Sequence, residues 1–190
     1  MTQDATLAEE KKQLLDLISR EAYFQKKITL SSGKESDYYI DARLITLQPL
    51  GAYLCARQML DLIGNTPVDA IGGPTLGADP LIGAIGVVSL QQQRPVKNFI
   101  IRKEAKAHGM GKQIEGPVLS SGERVVVIDD VATTGKAFVH SLDVLQAMGI
   151  EVVKCICVVD REEGAREAVE AKGSELAAIF KASDIHKPSG

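Results

Sequence analysis

The sequence predicts an α/β protein in which helices cover both faces of a mostly parallel sheet. Short β-branched runs, such as residues 124–128, alternate along the chain with longer stretches that carry an apolar stripe at helical spacing. The runs are apolar at consecutive positions, which is typical of strands buried on both faces. Because parallel neighbours need crossover connections, this alternation favours right-handed β-α-β units.

Length and composition fit a single domain spanning residues 1–190. The net charge of −3 argues against nucleic acid or an anionic membrane as a general partner. The amino terminus lacks the features of a signal peptide, and no run approaches the roughly 18 apolar residues of a membrane span. We therefore expect a cytoplasmic protein. Three cysteines are too few for a disulfide framework, and the pair Cys155 and Cys157 is best interpreted as buried side chains of one strand face.

The first 46 residues predict a helix and then a small lobe. Residues 5–22 carry an apolar stripe among charges, which indicates a docking helix. Residues 28–30 and 38–41 are short β-like stretches around Ser31-Ser32-Gly33-Lys34, and we interpret them as the two strands of a hairpin. This lobe, at about residues 22–46, precedes a core at about residues 47–182.

The sequence of the core region, at about residues 47–182, predicts strands and helices in alternation. The predicted strands are residues 68–71, 96–101, 124–128, 155–159 and 176–180. The predicted helices are residues 50–63, 79–90, a stretch with Phe138, Leu142 and Leu145 on one stripe, and residues 161–172. Asp79-Pro80 is typical of an N-cap and the first helical position.

The chain is organised around residues 124–138, where the central apolar strand ends in Asp129 and Asp130. A loop of small residues leads from these acids into the next helix. Ligands of open parallel sheets bind at such junctions, and the free N–H groups of a first helical turn bind anions. Because two carboxylates repel a phosphate, they need a sugar diol or a metal ion beside it, which indicates a phosphorylated ribose. The alternative is that the acids merely end a strand and cap a helix.

Two further stretches carry chemistry. Residues 71–80 form a glycine-rich turn that lets backbone N–H groups approach an anion, although packing explains it about as well. Residues 102–116 contain five potential cations, three glycines and no apolar stripe. A loop of this length is typical of a mobile, functional segment, and its cations would stabilise a pyrophosphate leaving group and exclude water. A merely solvated charged loop is the alternative.

The central motif, Val-Val-Ile-Asp-Asp-Val-Ala-Thr-Thr-Gly-Lys-Ala, resembles the phosphoribosyl-pyrophosphate (PRPP) signature of type I phosphoribosyltransferases. Residues 101–109 resemble the catalytic loop of the orotate phosphoribosyltransferases, with Arg-Lys, then Lys, then His-Gly. Residues 31–41 resemble the N-terminal hood of that family, and residues 159–164 resemble its segment after the later strand. The resemblance implies the type I phosphoribosyltransferase fold and transfer of ribose 5-phosphate from PRPP to orotate, in pyrimidine synthesis.

The resemblance also implies roles for individual residues. The pyrophosphate or phosphoribosyl end would contact Arg102, Lys103, Lys106 and His108, some of them across a homodimer interface. Asp129 and Asp130 would hold the ribose hydroxyls, with Mg²⁺ bound through PRPP near them. The 5-phosphate would lie against Val131, Ala132, Thr133, Thr134, Gly135, Lys136 and Ala137, while orotate would contact Thr133, Arg161, Tyr39 and Ile40. His108 would be either a general acid or one more hydrogen-bond donor.

The chain departs from that family's pattern at two positions. Ser31 and Gly77 stand where family members often have lysines. Any pyrophosphate contact at the glycine-rich turn of residues 71–80 would therefore rest on the backbone of residues 75–77. Two other functions share the central signature. One is a phosphoribosyltransferase for a purine base. The other is a regulator that binds PRPP or a nucleotide without catalysis, although the loop cations and the lack of a basic surplus favour an enzyme.

Overall fold

The fold begins with a helix that is capped by its own first residues. The computed structural model describes residues 6–29, 35–104 and 113–185. Helix α1 (Leu7–Leu17) follows Thr6, whose hydroxyl accepts a hydrogen bond from Glu9 N–H, while the Glu9 carboxylate accepts one from Thr6 N–H. This reciprocal pair is a capping box. The chain then makes a π-helical turn at Ile18–Ala22.

The described helices and strands follow the predicted alternation. The other helices are α2 (Arg43–Thr46), α3 (Pro49–Ile63), α4 (Asp79–Gln91), α5 (Lys136–Ala147) and α6 (Ala165–Glu170), with a 3-10 turn at Ala182–Asp184. The strands are β1 (Tyr23–Phe24), β2 (Ile28–Thr29), β3 (Glu35–Ser36), β4 (Tyr39–Ile40), β5 (Ala70–Pro74), β6 (Lys97–Ile101), β7 (Ile114–Glu115), β8 (Arg124–Ala132), β9 (Glu151–Asp160) and β10 (Leu176–Lys181). None of the helices within these described ranges is long and apolar enough to cross a membrane.

Six of the strands form one sheet in the order β10-β9-β8-β5-β6-β7. All neighbours are parallel except β7, which pairs antiparallel with β6. The prediction of a mostly parallel sheet is confirmed. The short strand β7 lies inside residues 102–116, so that the segment predicted as one long loop ends in a paired strand.

Alternate residues of β8 face two different cores. Val126 and Ile128 pack in a core with side chains of α1, α3 and α4. Val125 and Val127 pack on the other face, against α5 and α6. Burial on both faces explains why the run is apolar at every position.

The central strand is longer than its sequence predicts. Pairing with β9 continues past the apolar run, because Asp129 lies opposite Cys157 and Ala132 opposite Asp160. Asp129 and Asp130 therefore lie within the strand, and the prediction that the strand ends at Ile128 is wrong. Backbone pairing with a long neighbour, rather than side-chain polarity, sets the end of this strand.

The amino-terminal lobe pairs its strands differently from the prediction. Strand β2 pairs with β3 (Glu35–Ser36), whereas β4 pairs with β1 (Tyr23–Phe24). The Ser36 hydroxyl donates to the Tyr38 carbonyl, and the bend at this point directs the following residues to another partner. The predicted turn at residues 31–34 lies outside the described residues.

Three further boundaries correct the sequence-based assignment. Gly72 and Gly73 belong to β5 rather than to a turn, and a Cβ at Gly73 would lie 2.0 Å from the Ile128 carbonyl oxygen, so the close approach of β8 requires glycine. Asp79 is the first residue of α4 and does not cap it, since the N-cap is Ala78. The helix predicted from residue 161 begins only at Ala165, because Gly164 before it has a φ of +101°.

Candidate active site

A cavity of about 410 Å³ opens where the carboxyl ends of β5, β8 and β9 meet the amino-terminal lobe. Its lining includes predicted site residues from both the lobe and the core, namely Tyr39, Ile40, Asp129, Asp130, Val131, Thr133, Ala137 and Arg161. Parallel strands bring these segments together because their carboxyl ends share one edge of the sheet. Ala132, Thr134, Gly135 and Lys136 lie in the same loop but do not line this cavity.

The two acids at the end of β8 are held in fixed positions by backbone hydrogen bonds. Asp129 Oδ1 accepts from Asp130 N–H at 2.9 Å, and Asp130 Oδ1 accepts from Val131 N–H at 2.7 Å. Burial is the main cause that raises the pKa of both carboxyls, and repulsion from Asp130 adds to the rise at Asp129. A pair with Asp129 buried and Asp130 half-buried favours a cation or a hydroxyl donor beside it.

The turn at residues 75–77, which follows β5, lies directly against these acids. A Cβ built at Gly77 would lie 2.3 Å from Asp130 Oδ1 and 2.7 Å from Asp129 Oδ1. Such contacts are too short for a Cβ at residue 77 unless the carboxylates move. In the arrangement seen here, the acids occupy the space that a side chain at residue 77 would need.

A third carboxylate approaches the pair from α4. Burial raises the pKa of Asp79, and its Oδ1 is buried without a hydrogen-bond partner in the described chain. The described residues contain no group of three or more His, Cys, Asp or Glu side chains arranged to hold a metal ion. Mg²⁺ near Asp129 and Asp130 would therefore need oxygen ligands from a substrate or water, which suits its octahedral preference.

The loop after β8 presents backbone donors at the start of a helix. Gly135 has a φ of +76° and is the N-cap of the 12-residue helix α5. A left-handed residue here turns the chain sharply, and Gly135 also packs against Ala165, with a built Cβ only 3.0 Å from its carbonyl oxygen. The N–H groups of the first turn of α5 are then free to bind an anion.

Arg161 lies in the turn after β9, and its side chain is only 3% exposed. Its Nε donates to Glu163 Oε1 at 2.9 Å, and its Nη2 donates to Ser36 Oγ at 3.1 Å. The guanidinium also lies over the Tyr38 ring, with Cζ 4.6 Å from the centroid. An ordinary surface arginine at the start of a helix, the alternative for this residue, does not fit this burial.

Sequence reasoning missed one charged pair at the cavity. Asp41 and Arg43 both line it, and the guanidinium pairs with both carboxylate oxygens, with Nε 3.0 Å from Oδ1 and Nη2 3.3 Å from Oδ2. The signal was present, since Asp-Ala-Arg follows directly after the hood strand. It was overlooked because the two charges alone have no recognisable motif spacing.

The predicted loop cations fall at the edge of the described residues. Arg102 and Lys103 are exposed, and Arg102 Nη1 lies 3.4 Å from Glu115 Oε1. Neither of them lines the cavity. Lys106, His108 and Ser31 lie outside the described residues.

The fold and the site together define an α/β protein with two acids and a loop of small residues at the carboxyl edge of a mostly parallel sheet. Residues 78–178 match the family model described as the phosphoribosyl transferase domain. The chain is 48% identical to an orotate phosphoribosyltransferase of Aquifex aeolicus, with 82% of this chain and 85% of the relative covered. It is 42% identical to that of a Nostoc species, with 93% and 85% covered.

Solved structures agree with the sequence comparisons. The Mycobacterium tuberculosis orotate phosphoribosyltransferase in complex with 5-phospho-α-D-ribosyl 1-diphosphate has a TM-score of 0.76 and 35% identity, covering 93% of this chain and 98% of that chain. An adenine phosphoribosyltransferase of Thermoanaerobacter pseudethanolicus, at 14% identity and a TM-score of 0.63, shares the fold alone. The chain belongs to the phosphoribosyltransferase family and, within it, to the orotate phosphoribosyltransferases.

Proposed function

We propose that this chain transfers ribose 5-phosphate from PRPP to orotate, giving orotidine 5-monophosphate and pyrophosphate in the synthesis of UMP. The observation that supports the proposal is one cavity lined by the buried Asp129, the half-buried Asp130 and the buried Arg161, at the start of the loop before α5, in a chain of this family. The bond from the anomeric carbon to the pyrophosphate oxygen breaks, and pyrophosphate keeps the electron pair. A ring nitrogen of orotate bonds to that carbon, and its proton passes to the released pyrophosphate.

The residues of the cavity suit the charges that develop in this reaction. Asp129 and Asp130 would hold the ribose hydroxyls and favour positive charge at the anomeric carbon. The backbone from Val131 to Ala137 would bind the 5-phosphate at the start of α5. Arg161 would pair with the orotate carboxylate, with Thr133, Tyr39 and Ile40 around the ring, because a guanidinium can pair bidentately with a carboxylate.

Mg²⁺ is the cofactor that these donors fit. Two carboxylates whose pKa values are raised by burial are stabilised as anions by a nearby divalent cation. When bound, Mg²⁺ would neutralise charge on the pyrophosphate and ribose oxygens of PRPP. Asp129 and Asp130 are the residues that would hold it, with PRPP itself completing its ligands.

The loop cations and a second subunit would complete the site. Lys103, Lys106 and His108, with Arg102, would stabilise the departing pyrophosphate, in part from the neighbouring subunit of a homodimer. An exposed apolar surface supports a dimer, since α2 and α3 present Leu44, Leu47, Leu50 and Tyr53 with 40–71% of each residue exposed. We also propose a cytoplasmic location, in which the three buried free thiols would stay reduced.

The fall in orotate ultraviolet absorbance with PRPP and Mg²⁺ tests the reaction directly. Lys103→Ala and Asp130→Asn should each abolish most of the orotate consumption, and adenine or hypoxanthine should not be consumed. Consumption of a purine instead of orotate would reject the base assignment. Binding of PRPP without consumption of any base would favour a regulator.

Mixing the two inactive variants tests the shared site. If the loop of one subunit serves the site of its neighbour, a mixed dimer of Lys103→Ala and Asp130→Asn contains one site without either substitution. Random exchange of subunits should then restore about a quarter of the wild-type activity. A mixture that stays inactive after verified subunit exchange would place the loop in its own subunit's site.

A further inference from the structure

The cavity has an excess of acidic groups and two cationic side chains among its described lining residues. The acidic residues that line it are Asp41, Asp129 and Asp130, and the cationic ones are Arg43 and Arg161. A substrate with a diphosphate brings more negative charge to this wall, so its binding needs a cation that is free to contact it. The two arginines differ in that respect.

Arg161 has donors left for the orotate carboxylate proposed above, but not for a diphosphate as well. Its side chain is 3% exposed, and its guanidinium already contacts Glu163, Ser36 and the Tyr38 ring. These contacts come from the lobe and the turn after β9, so they direct it to that side of the cavity. Arg43, in contrast, has a side chain that is 42% exposed at the cavity.

Asp41 holds Arg43 in a defined orientation. The carboxylate accepts from Nε and Nη2 of Arg43, and its Oδ1 also accepts from the Arg43 backbone N–H at 3.2 Å. Because a guanidinium has five N–H donors, this side-on pairing leaves both hydrogens of Nη1 and one of Nη2 available within the part of the chain that the structure describes. A pre-oriented guanidinium with free N–H groups is suited to a phosphate.

The opposite wall of the cavity offers no side-chain cation. It consists of Pro74, Thr75, Leu76 and Gly77. A side chain at residue 77 would displace the acids from their present positions, because its Cβ would lie 2.3 Å from Asp130 Oδ1. Among the described residues that line this cavity, a side-chain cation for the diphosphate is therefore found on the lobe side, where Arg43 begins α2, and it would act together with the proposed loop cations.

The positive charge of Arg43 lines the same cavity as the acid pair, and Asp41 fixes its orientation there. The same charge would lie beside the pyrophosphate of a substrate whose ribose is held by Asp129 and Asp130. Both features fit a residue that contacts the leaving group.

We propose that Arg43, oriented by Asp41, binds the diphosphate of PRPP and supplies from the lobe the positive charge that the turn at residues 75–77 does not. This rests on the proposed function for the identity of the substrate. It makes Arg43 a determinant of PRPP affinity rather than of orotate affinity.

Steady-state kinetics of Arg43→Ala, with Arg43→Lys as the conservative variant, tests the inference. Loss of a charged hydrogen-bonding group should raise the KM for PRPP and the inhibition constant of pyrophosphate by about tenfold to a hundredfold. The KM for orotate should change less than about twofold, and lysine should restore part of the PRPP affinity as a point charge. Asp41→Asn, which loosens the orientation, should shift the PRPP KM in the same direction.

Arg94→Ala is the matched control, because it removes the same charge at the opposite edge of the sheet, where Arg94 Nη2 donates to the Gly64 carbonyl. It should leave both KM values unchanged. An unchanged PRPP KM in Arg43→Ala, or a larger rise in the orotate KM, would overturn the inference. Calorimetric titration of the protein with PRPP, in the presence of Mg²⁺ and without orotate, measures the same affinity without turnover. The inference therefore stays testable even if the wild-type protein does not consume orotate.

Discussion

The guanidinium of Arg161 lies 4.6 Å from the centre of the Tyr38 ring and joins the turn after β9 to the amino-terminal lobe. Its Nη2 reaches Ser36 in the same lobe, at 3.1 Å. This hydrogen bond links residues 125 positions apart in the chain. One buried cation therefore both closes the lobe over the cavity and faces the space assigned to orotate.

Replacing Arg161 by lysine should separate base binding from PRPP binding. Lysine keeps the charge but loses the planar fork and the ring contact, so the KM for orotate should rise about tenfold to a hundredfold. The KM for PRPP should change much less. Arg166→Lys is the control, since Arg166 pairs with Asp160 at 3.6 Å next to the site without lining it. Equal rises in both KM values would argue against an orotate contact.

The central motif shows how much of the site could be predicted from the sequence. The order of apolar strand, two acids, small-residue loop and helix is local, so it was predicted correctly and the structure places it at the sheet edge. The strand end was wrong because hydrogen bonding with β9 extends β8 to Ala132. That pairing depends on a segment 28 positions further along the chain, which a local pattern does not report.

Arg43 and Gly77 show what the sequence could not provide. In the sequence, Gly77 is simply a glycine where family members often have lysine, but in the structure the acids occupy the space that a side chain there would need. Arg43 has no motif around it in the sequence, but in the structure it pairs with Asp41 and lines the cavity. Both facts depend on distances between segments that meet only in the folded chain.

Adding one methyl group at Gly77 should impair catalysis far more than folding. In Gly77→Ala the new Cβ would lie 2.3 Å from Asp130 Oδ1 and would displace that carboxylate. Misplacing a positioned group by this much should lower kcat/KM roughly tenfold to a hundredfold. Parallel activity assays and thermal unfolding measure the two effects separately.

Gly83→Ala is the matched control for this substitution. Gly83 lies in α4 with nothing within 4 Å of a built Cβ. Alanine there should keep full activity and raise the free energy of unfolding by about 0.5–1 kcal/mol, as it does at exposed helical glycines. If Gly77→Ala retained wild-type kcat/KM, the contact between the turn at residues 75–77 and Asp130 would not matter for catalysis.

The three cysteines should not react with a thiol reagent while the protein is folded. Burial raises the pKa of Cys55 and of Cys155 to about 12, and it raises that of Cys157 well above the usual range. Since the thiolate is the reactive form, Ellman's reagent at pH 8 should label none of them until the protein is unfolded. Ser183→Cys, at an exposed position, should label rapidly. Rapid labelling of the native wild type would contradict the burial of these side chains.

Asp129→Asn should stabilise the unliganded protein at neutral pH while abolishing activity. Burial, followed by repulsion from Asp130, raises the folded-state pKa of Asp129 above its usual value of 3.8. The folded state therefore binds more protons than the unfolded state above about pH 4, so the stability contributed by this group falls as the pH rises towards the folded-state pKa. Asparagine removes the ionisation and keeps the oxygen that accepts from Asp130 N–H.

Urea unfolding of the wild type and Asp129→Asn between pH 4 and pH 8 measures this difference. The stability advantage of the variant should be smallest near pH 4, where the carboxyl is protonated in the folded state and about half protonated in the unfolded state, and should grow with pH. The control is Asp143→Asn, because Asp143 is exposed and pairs with Lys172 at 2.6 Å, so its loss should give no advantage that grows with pH. If the variant were less stable than the wild type at neutral pH, ionisation of Asp129 beside Asp130 would not destabilise the unliganded protein.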